Sequence, residues 1–204
     1  MITVGWVIIS GRPVPPSGRW SGWLLARAAA EVLGEPAVVF FQDGLVWKPP
    51  GGATPIWWHQ DHSYLPLAAP TALTLWVCFD DADEQAGCLA YVPGSHRLGD
   101  RQPADFAGDG RADPGLPPMD VEGRPTVLVP VRAGDAIAHD VRVWHMSGPN
   151  RSAHERRALS TTWVTPAARW DPARAPSPFT WRLRPAAGAP LTGPLFPRFD
   201  RAKP

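Results

Sequence analysis

Short segments that favour β-structure follow one another along most of this sequence. They are rich in β-branched and aromatic residues, and turn-forming Gly, Pro, Asp or Asn residues bound them. The segments are residues 37–47, 71–79, 88–92, 126–131, 135–140, 141–146 and 158–165. The chain also contains 26 prolines and 19 glycines, a content that favours many turns over long helices. This pattern predicts an all-β core, built as a sandwich, a jelly roll or a barrel.

One amphipathic helix is expected before the first of these strands. Residues 18–34 are rich in alanine and leucine, and Gly34 is placed to end the helix. The 204 residues are enough for one domain with a sizeable core, so we predict a single domain over residues 1–204. Within it, residues 97–125 show almost no apolar periodicity and are interpreted as a long loop or lid. Residues 166–204, rich in Pro and Arg, are expected to form an extended arm on the surface.

The charge balance excludes some classes of partner. Lysine and arginine number 20 and the acidic residues 19, so nothing electrostatic indicates nucleic acid or an anionic membrane. No apolar run approaches the roughly 18 residues of a membrane span, and the N-terminus lacks the basic region of a signal peptide.

Cys78 and Cys88 lie in apolar runs and are expected to be reduced, buried thiols. We predict a cytoplasmic protein with a small-molecule substrate; the oligomeric state is not predicted.

The motif "HQD", residues 59–61, suggests a metal site. Residues two apart in an extended strand point to the same side, so His59 and Asp61 share a face and Gln60 points away. An imidazole and a carboxylate side by side can occupy two adjacent positions of an octahedral ion. His145 is the best third ligand, because it ends a strand-like segment and leads into the turn "SGPN". Two histidines and one carboxylate leave three positions open, as in non-haem Fe(II) enzymes, whereas zinc prefers tetrahedral sites with more nitrogen or sulfur donors.

A 2-oxo acid cosubstrate would need a cation for its far carboxylate. Arginine suits this best, because a guanidinium group can bind a carboxylate through two N–H groups. Arg156 and Arg157 both lie at the entry to the strand that follows His145. Antiparallel pairing of this strand beside that of His145 would bring one of the two guanidinium groups into the pocket.

Three motifs in this order, "WHQDHSY", "GCLAYVPGSHRLG" and "HMSGPNRSAHERRA", closely resemble the phytanoyl-CoA dioxygenase family of Fe(II)- and 2-oxoglutarate-dependent oxygenases. The resemblance covers about residues 37–165. It implies a double-stranded β-helix, a cupin-like jelly roll, with the N-terminal helix at its flank, and this agrees with the strand pattern. It also implies a 2-oxoglutarate-dependent dioxygenase with Fe(II) as cofactor and with 2-oxoglutarate and O2 as cosubstrates.

The resemblance also assigns roles to single residues. By position, it makes His59, Asp61 and His145 the iron ligands, and it implies no catalytic residue beyond them. Arg156, rather than its neighbour Arg157, falls where the family binds the C5 carboxylate of 2-oxoglutarate. The residues expected to bind or border this cosubstrate are Arg156, Ser147, Trp76, Lys48 and Gln42.

Other polar side chains near the motif keep two interpretations each. Tyr64 either hydrogen-bonds the substrate or caps the barrel. His62 faces away from Asp61 and is either a substrate-side or a structural residue. Three further histidines are interpreted as ordinary core or surface residues, namely His96, His139 and His154.

The predicted reaction is hydroxylation, or another oxidation, of a small-molecule C–H bond. The presence of Asp61 favours this reaction over halogenation, because related halogenases lack the carboxylate and so free a position for chloride. The abundance of Ala, Pro and Arg suggests a GC-rich bacterial genome and a role in secondary metabolism. Two alternatives remain, a catalytically silent jelly-roll binding protein and a cupin-like metalloenzyme that does not use 2-oxoglutarate. Arg156 and Ser147 argue against the second alternative.

Overall fold

A computed structural model describes residues 6–9, 22–52, 55–68, 72–103, 118–174 and 182–202. In these residues, twelve strands and one α-helix form antiparallel sheets. Along the chain they are β1 (Trp6–Ile9), α1 (Gly22–Leu33), β2 (Ala37–Lys48), β3 (Ile56–His59), β4 (Leu67–Ala68), β5 (Ala72–Cys78), β6 (Leu89–Tyr91), β7 (Val127–Val129), β8 (Ala136–Asp140), β9 (His145–Ser147), β10 (Arg156–Val164), β11 (Arg169–Trp170) and β12 (Arg198–Asp200). Among them there is no helix with the length and apolar character that a membrane span requires.

Two facing sheets enclose the core. The larger has six strands in the order β1-β8-β5-β10-β2-β12, and the smaller has four in the order β3-β9-β6-β7. The strand β5 lies inside the larger sheet and is buried at all seven positions, because it packs against α1 on one face and the smaller sheet on the other. The contact between the sheets is formed by buried residues of both, among them Trp76, Cys78, Ile137, Leu89, Tyr91 and Val129. This arrangement confirms the predicted all-β jelly roll with one flanking helix.

The helix α1 covers the outer face of the larger sheet. Its small residues Ala26, Ala29 and Ala30 are buried together with Leu25, so the helix can lie close to the strands. Gly34 follows it with a φ of +71°, the left-handed conformation expected of a C-terminal stop. The predicted helix is thus found, and the part of the prediction over residues 18–21 lies outside the described residues.

Two segments differ from the sequence prediction. Residues 141–144 do not continue a strand into β9, because the side chain of Asp140 accepts a hydrogen bond from the backbone N of Arg142 at 2.7 Å and turns the chain. The segment 166–204 was expected to be a surface arm, but part of it enters the fold. It supplies β11 and β12, and it buries Leu191 and Phe196 in a second apolar cluster. Of the predicted lid, residues 104–117 lie outside the described part of the chain.

The loop before β6 closely approaches the loop after β9 at Gly87. Gly87 has a φ of +75°, and a Cβ at this position would lie 2.5 Å from the carbonyl oxygen of Gly148. Gly94 has nearly the same φ, +76°, but nothing lies within 4 Å of its Cβ position.

We expect Gly94→Ala to lower the free energy of unfolding by about 1–2 kcal/mol, the cost of the left-handed conformation. Gly87→Ala should lower it by about 1–3 kcal/mol more, because the added methyl group overlaps backbone.

Chemical denaturation of the wild type and both alanine variants measures this difference. Equal losses of stability in the two variants would contradict a close approach at Gly87.

Candidate metal centre

Three predicted ligands meet where the smaller sheet ends. His59 is the last residue of β3, His145 is the first residue of β9, and the two are paired in register. Asp61 begins a 3-10 helix over Asp61–Tyr64. One ligand atom of each residue lies within 4.8 Å of the others. The structure therefore brings together the two histidines and the carboxylate that the sequence singled out.

The backbone around Asp61 differs from the extended strand that the sequence suggested. β3 ends at His59, Gln60 is extended with φ −113° and ψ 136°, and the 3-10 helix starts at Asp61. The buried Gln60 side chain donates hydrogen bonds to the carbonyl oxygens of Gly99 at 3.0 Å and Arg142 at 2.7 Å. Because Gln60 is extended and anchored on the far side, His59 and Asp61 still share a face. The strand prediction was wrong from residue 61 onward.

Both histidines present their Nε2 atoms to the carboxylate. Nε2 of His59 and Nε2 of His145 each lie 3.6 Å from Oδ1 of Asp61. Nδ1 of His59 lies 2.7 Å from the carbonyl oxygen of Trp57, and Nδ1 of His145 lies 3.1 Å from that of Val143. A carbonyl oxygen only accepts, so each Nδ1 carries the proton and each Nε2 keeps a lone pair. Three acceptor atoms converge with no proton between them, an arrangement that suits a bound cation.

The surroundings lower the pKa of two members of the cluster, His145 and Asp61. Burial, followed by the neighbouring His59, lowers the pKa of His145 well below its ordinary value. Burial raises the pKa of Asp61, but the neighbouring imidazoles, His145 first and then His139, outweigh it and hold that pKa well below its usual range. Imidazole lone pairs and one carboxylate are the donor set of non-haem iron(II) sites, so these residues fit the implied metal.

Three residues that the sequence analysis did not single out contact the carboxylate directly or through one neighbour. His139 was interpreted as an ordinary histidine, but its buried Nε2 lies 3.1 Å from Oδ2 of Asp61. Thr74 donates to the same oxygen at 2.6 Å, and the hydroxyl of Tyr91 lies 2.9 Å from Nδ1 of His139. Thr74 and His139 are paired in register across β5 and β8. A polar residue in each of two apolar strand segments was the only sequence signal for this contact.

The two candidate arginines point in opposite directions from β10. Arg156 is fully buried, with its guanidinium carbon 5.0 Å from the ring centre of Trp76 and its Nη2 3.3 Å from Oγ of Ser147. Arg157 is exposed and binds both carboxylate oxygens of Asp80, at 2.8 and 2.9 Å. The structure thus places Arg156, and not Arg157, in the interior.

Two donors of Arg156 lack a hydrogen-bond partner within the described parts of the chain, namely Nε and Nη1. Burial lowers the pKa of Arg156 to about 10, so the group is cationic at neutral pH. A buried cationic N–H without an acceptor costs free energy, and a carboxylate is the acceptor that matches it best. The implied cosubstrate 2-oxoglutarate therefore fits these donors.

Lys48 lies beside Arg156, whereas Gln42 lies elsewhere on the same strand. Lys48 is buried and pairs with Arg156 in register, and its Nζ donates to the carbonyl oxygens of Ser147, at 3.0 Å, and Gly148. Burial, followed by the charge of Arg156, lowers the pKa of Lys48 to about 7. Gln42 is six positions from Lys48 along β2, or about 20 Å. The structure brings the other predicted cosubstrate residues together, and Gln42 lies further along the strand, where it is paired with Thr162.

The structural interpretation of His62 is favoured by its contacts. His62 is buried, and its Nδ1 lies 3.0 Å from Oδ1 of Asp100, which also accepts hydrogen bonds from Arg142 and Arg174. Burial, followed by the charges of these two arginines, lowers the pKa of His62 to about 4. Tyr64 is half-buried, and its ring centre lies 6.3 Å from that of His59, beside the candidate metal centre.

Comparison with known proteins points to one family. A sequence model of the phytanoyl-CoA dioxygenase family matches residues 23–158. The probable alpha-ketoglutarate-dependent hypophosphite dioxygenase of Stutzerimonas stutzeri is 35% identical over 121 residues, which are 55% of this chain and 40% of that protein. The chain spans about half the length of the curated relatives it matches. Alpha-ketoglutarate is another name of 2-oxoglutarate.

Two solved structures that are similar to this chain are of enzymes connected with nogalamycin. The non-haem alpha-ketoglutarate-dependent carbocyclase SnoK from nogalamycin biosynthesis has a TM-score of 0.75 and 26% identity, covering 96% of this chain and 92% of SnoK. The epimerase SnoN, in complex with Fe3+, alpha-ketoglutarate and nogalamycin RO, has a TM-score of 0.68 and 30% identity, covering 87% of this chain and 70% of SnoN.

Removal of the carboxylate from the cluster should abolish tight metal binding. We expect Asp61→Ala to weaken the binding of Mn(II), an air-stable probe of iron sites, by about 100-fold or more, because even partners of a ligand contribute 10- to 100-fold. His154→Ala, which removes an exposed histidine outside the cluster, is the control and should bind Mn(II) as the wild type does. Titration calorimetry measures both affinities. Unchanged binding in Asp61→Ala would exclude Asp61 as a ligand.

Proposed function

We propose a function on the premise that this chain belongs to the phytanoyl-CoA dioxygenase family. The chain is an Fe(II)- and 2-oxoglutarate-dependent oxygenase that oxidises a C–H bond of a small molecule, and hydroxylation is the simplest such reaction. One observation carries the proposal: buried Arg156, with two unpartnered N–H groups among the described residues, is joined through Ser147 to the strand of His145. A jelly-roll metalloenzyme that uses no 2-oxo acid has no need of this cation.

The metal would be held by Nε2 of His59, Nε2 of His145 and Oδ1 of Asp61. An ion held by these three ligands would have room to bind the cosubstrates as well. When bound, iron supplies the redox chemistry that couples decarboxylation of 2-oxoglutarate, to succinate and CO2, to the oxidation of a substrate C–H bond. The protein's own contribution is to keep both imidazoles in the tautomer that binds a metal, through the carbonyl oxygens of Trp57 and Val143.

The far carboxylate of 2-oxoglutarate would bind Arg156 and the hydroxyl of Ser147. Both groups are buried, and an ion pair formed there is stronger than one in water. The ring of Trp76 lies against the guanidinium group and helps to hold it in place. Lys48 stabilises this arrangement, because its hydrogen bond to the carbonyl oxygen of Ser147 connects β2 to the end of β9.

A small molecule of secondary metabolism is the substrate class that we propose. SnoK is a carbocyclase of nogalamycin biosynthesis, and SnoN is an epimerase solved with nogalamycin RO. Both support an oxidation at carbon in this chain. The carboxylate of Asp61 adds to this support, since a halogenating site would need that coordination position for the halide.

The first test is the reaction of the cosubstrate. Without oxygen, we expect Fe(II) and 2-oxoglutarate to give a weak visible charge-transfer band with the purified protein. Air should then convert 2-oxoglutarate into succinate, which chromatography measures. A protein that shows neither band nor succinate is not an oxygenase of this type. A band without succinate on any substrate would instead indicate a catalytically silent binding protein.

Two neighbouring arginines give a matched pair of variants. We expect Arg156→Met to raise the KM for 2-oxoglutarate in the succinate assay by about 100-fold, because truncation of a buried charged hydrogen-bond partner costs about 2–5 kcal/mol. Arg157→Met removes a cation of the same size from the same strand, but its partner is the surface residue Asp80. Its KM should stay within about twofold of the wild-type value, since exposed ion pairs contribute little. Equal KM values in the two variants would contradict the role of Arg156.

A further inference from the structure

The two carboxylate oxygens of Asp61 have different surroundings. Oδ1 faces the Nε2 atoms of His59 and His145, each at 3.6 Å. Oδ2 accepts a hydrogen bond from the hydroxyl of Thr74 at 2.6 Å and lies 3.1 Å from Nε2 of His139. One oxygen is thus directed toward the candidate metal position, and the other is engaged by two groups on the larger sheet.

Hydrogen-bond chemistry gives this contact a direction. A carboxylate only accepts, so Nε2 of His139 carries the proton that it shares with Asp61. Nδ1 of the same ring then has a lone pair, and it accepts the hydroxyl proton of Tyr91 at 2.9 Å. Burial, followed by the charge of Asp61, raises the pKa of Tyr91 well above its ordinary value, so the phenol stays protonated. The donors run from Tyr91 through His139 to Asp61.

The chain of donors is built on rigid elements of both sheets. Thr74 and His139 face each other on the neighbouring strands β5 and β8. Tyr91 is on β6 of the opposite sheet, where it is paired in register with the predicted ligand His145. Thr74, His139 and Tyr91 are all buried, so rotation of any of these side chains would leave a polar group unsatisfied.

We propose that Thr74, His139 and Tyr91 are positioning residues that hold Asp61 as a ligand through one oxygen, with Oδ2 kept away from the metal. A carboxylate that is free to turn can bind a metal ion through both oxygens and fill a further coordination position. With Oδ2 engaged by two donors, that position stays available for the cosubstrates. This inference rests on the proposed function, because it presupposes a metal ion between His59, Asp61 and His145.

A merely structural role for these residues predicts a different outcome. The side chains of β5 are otherwise almost all apolar, and a hydroxyl at Thr74 has a cost unless it is hydrogen-bonded. If the hydroxyl only stabilised the fold, its loss would lower stability and leave metal binding unchanged. If it positions Asp61, its loss changes the metal site itself.

Substitutions of Thr74 separate the two roles. Thr74→Val keeps the shape and removes the donor, and we expect it to weaken Mn(II) binding by about 10-fold, the usual effect of losing a partner of a metal ligand. Thr74→Ser keeps the hydroxyl and should bind Mn(II) within about twofold of the wild type. In the anaerobic complex with Fe(II) and 2-oxoglutarate, the charge-transfer band should change in position or intensity in Thr74→Val and not in Thr74→Ser.

A control and a second variant complete the experiment. Thr161→Val removes a buried hydroxyl from β10 that contacts Leu75 and Trp163 and not Asp61. It should lower stability and keep wild-type affinity for Mn(II). Tyr91→Phe removes the donor to His139 and, like Thr74→Val, should weaken Mn(II) binding. If Thr74→Val does not fold, titration of Tyr91→Phe with Mn(II) tests the positioning role instead.

The results distinguish failure of this inference from failure of the proposed function. If the wild type binds no Mn(II) or Fe(II), the proposed function fails, and the inference fails with it. If the wild type binds metal and Thr74→Val has the same affinity and the same band, only the positioning role is wrong. An equal loss of affinity in Thr161→Val would likewise overturn it, because the effect would then follow from general destabilisation.

Discussion

The partly buried carboxylate of Asp61 needs compensation for its lost hydration, and polar side chains of both sheets converge on it where the smaller sheet ends. The larger sheet supplies two donors to Oδ2, through Thr74 and His139. The smaller sheet supplies His59 and His145, which approach Oδ1 with lone pairs rather than protons. Oδ2 is therefore compensated by the fold, and Oδ1 faces two further acceptors, a set that a cation would satisfy. The same constraint ties the two sheets together and defines the candidate metal position.

A fully buried charge of the opposite sign, Arg156, lies on the inner face of the larger sheet. Arg156 is six residues from Thr162 on β10, and Thr162 is paired with Thr74 at the level of Asp61. Six residues of strand span about 20 Å, yet the guanidinium group packs on Trp76, only two residues from Thr74. The side chains of Arg156 and Trp76 together therefore bridge much of the distance between this cation and the cluster. An anion with one end at the metal and the other at this cation would compensate both.

Much of this arrangement follows from local sequence pattern. The alternation in "HQD" and the position of His145 before a turn sufficed to predict the cluster, and the pattern at the start of β10 limited its cation to Arg156 or Arg157. The Thr74–His139 contact could not be predicted, because it depends on which strands are neighbours and on their register. The strand β12 could not be predicted for the same reason, since it pairs with a strand about 160 residues earlier in the chain. The prediction of a strand from residue 141 was wrong for a local reason: the Asp140 side chain accepts a hydrogen bond from the backbone N of Arg142 and starts a turn.

The neighbouring Lys48 gives a physical explanation for an arginine, rather than a lysine, at position 156. Lys48 is paired with Arg156 on the adjacent strand, and burial there lowers the pKa of its ammonium group to about 7. A lysine in this environment would be charged only part of the time at neutral pH. Burial lowers the pKa of Arg156 as well, but only to about 10, so its charge persists. Lys48 can remain half-charged because its acceptors are neutral carbonyl oxygens. The proposed role of Arg156, binding a carboxylate in the interior, calls for a permanent cation, and among side chains the guanidinium group meets that condition best.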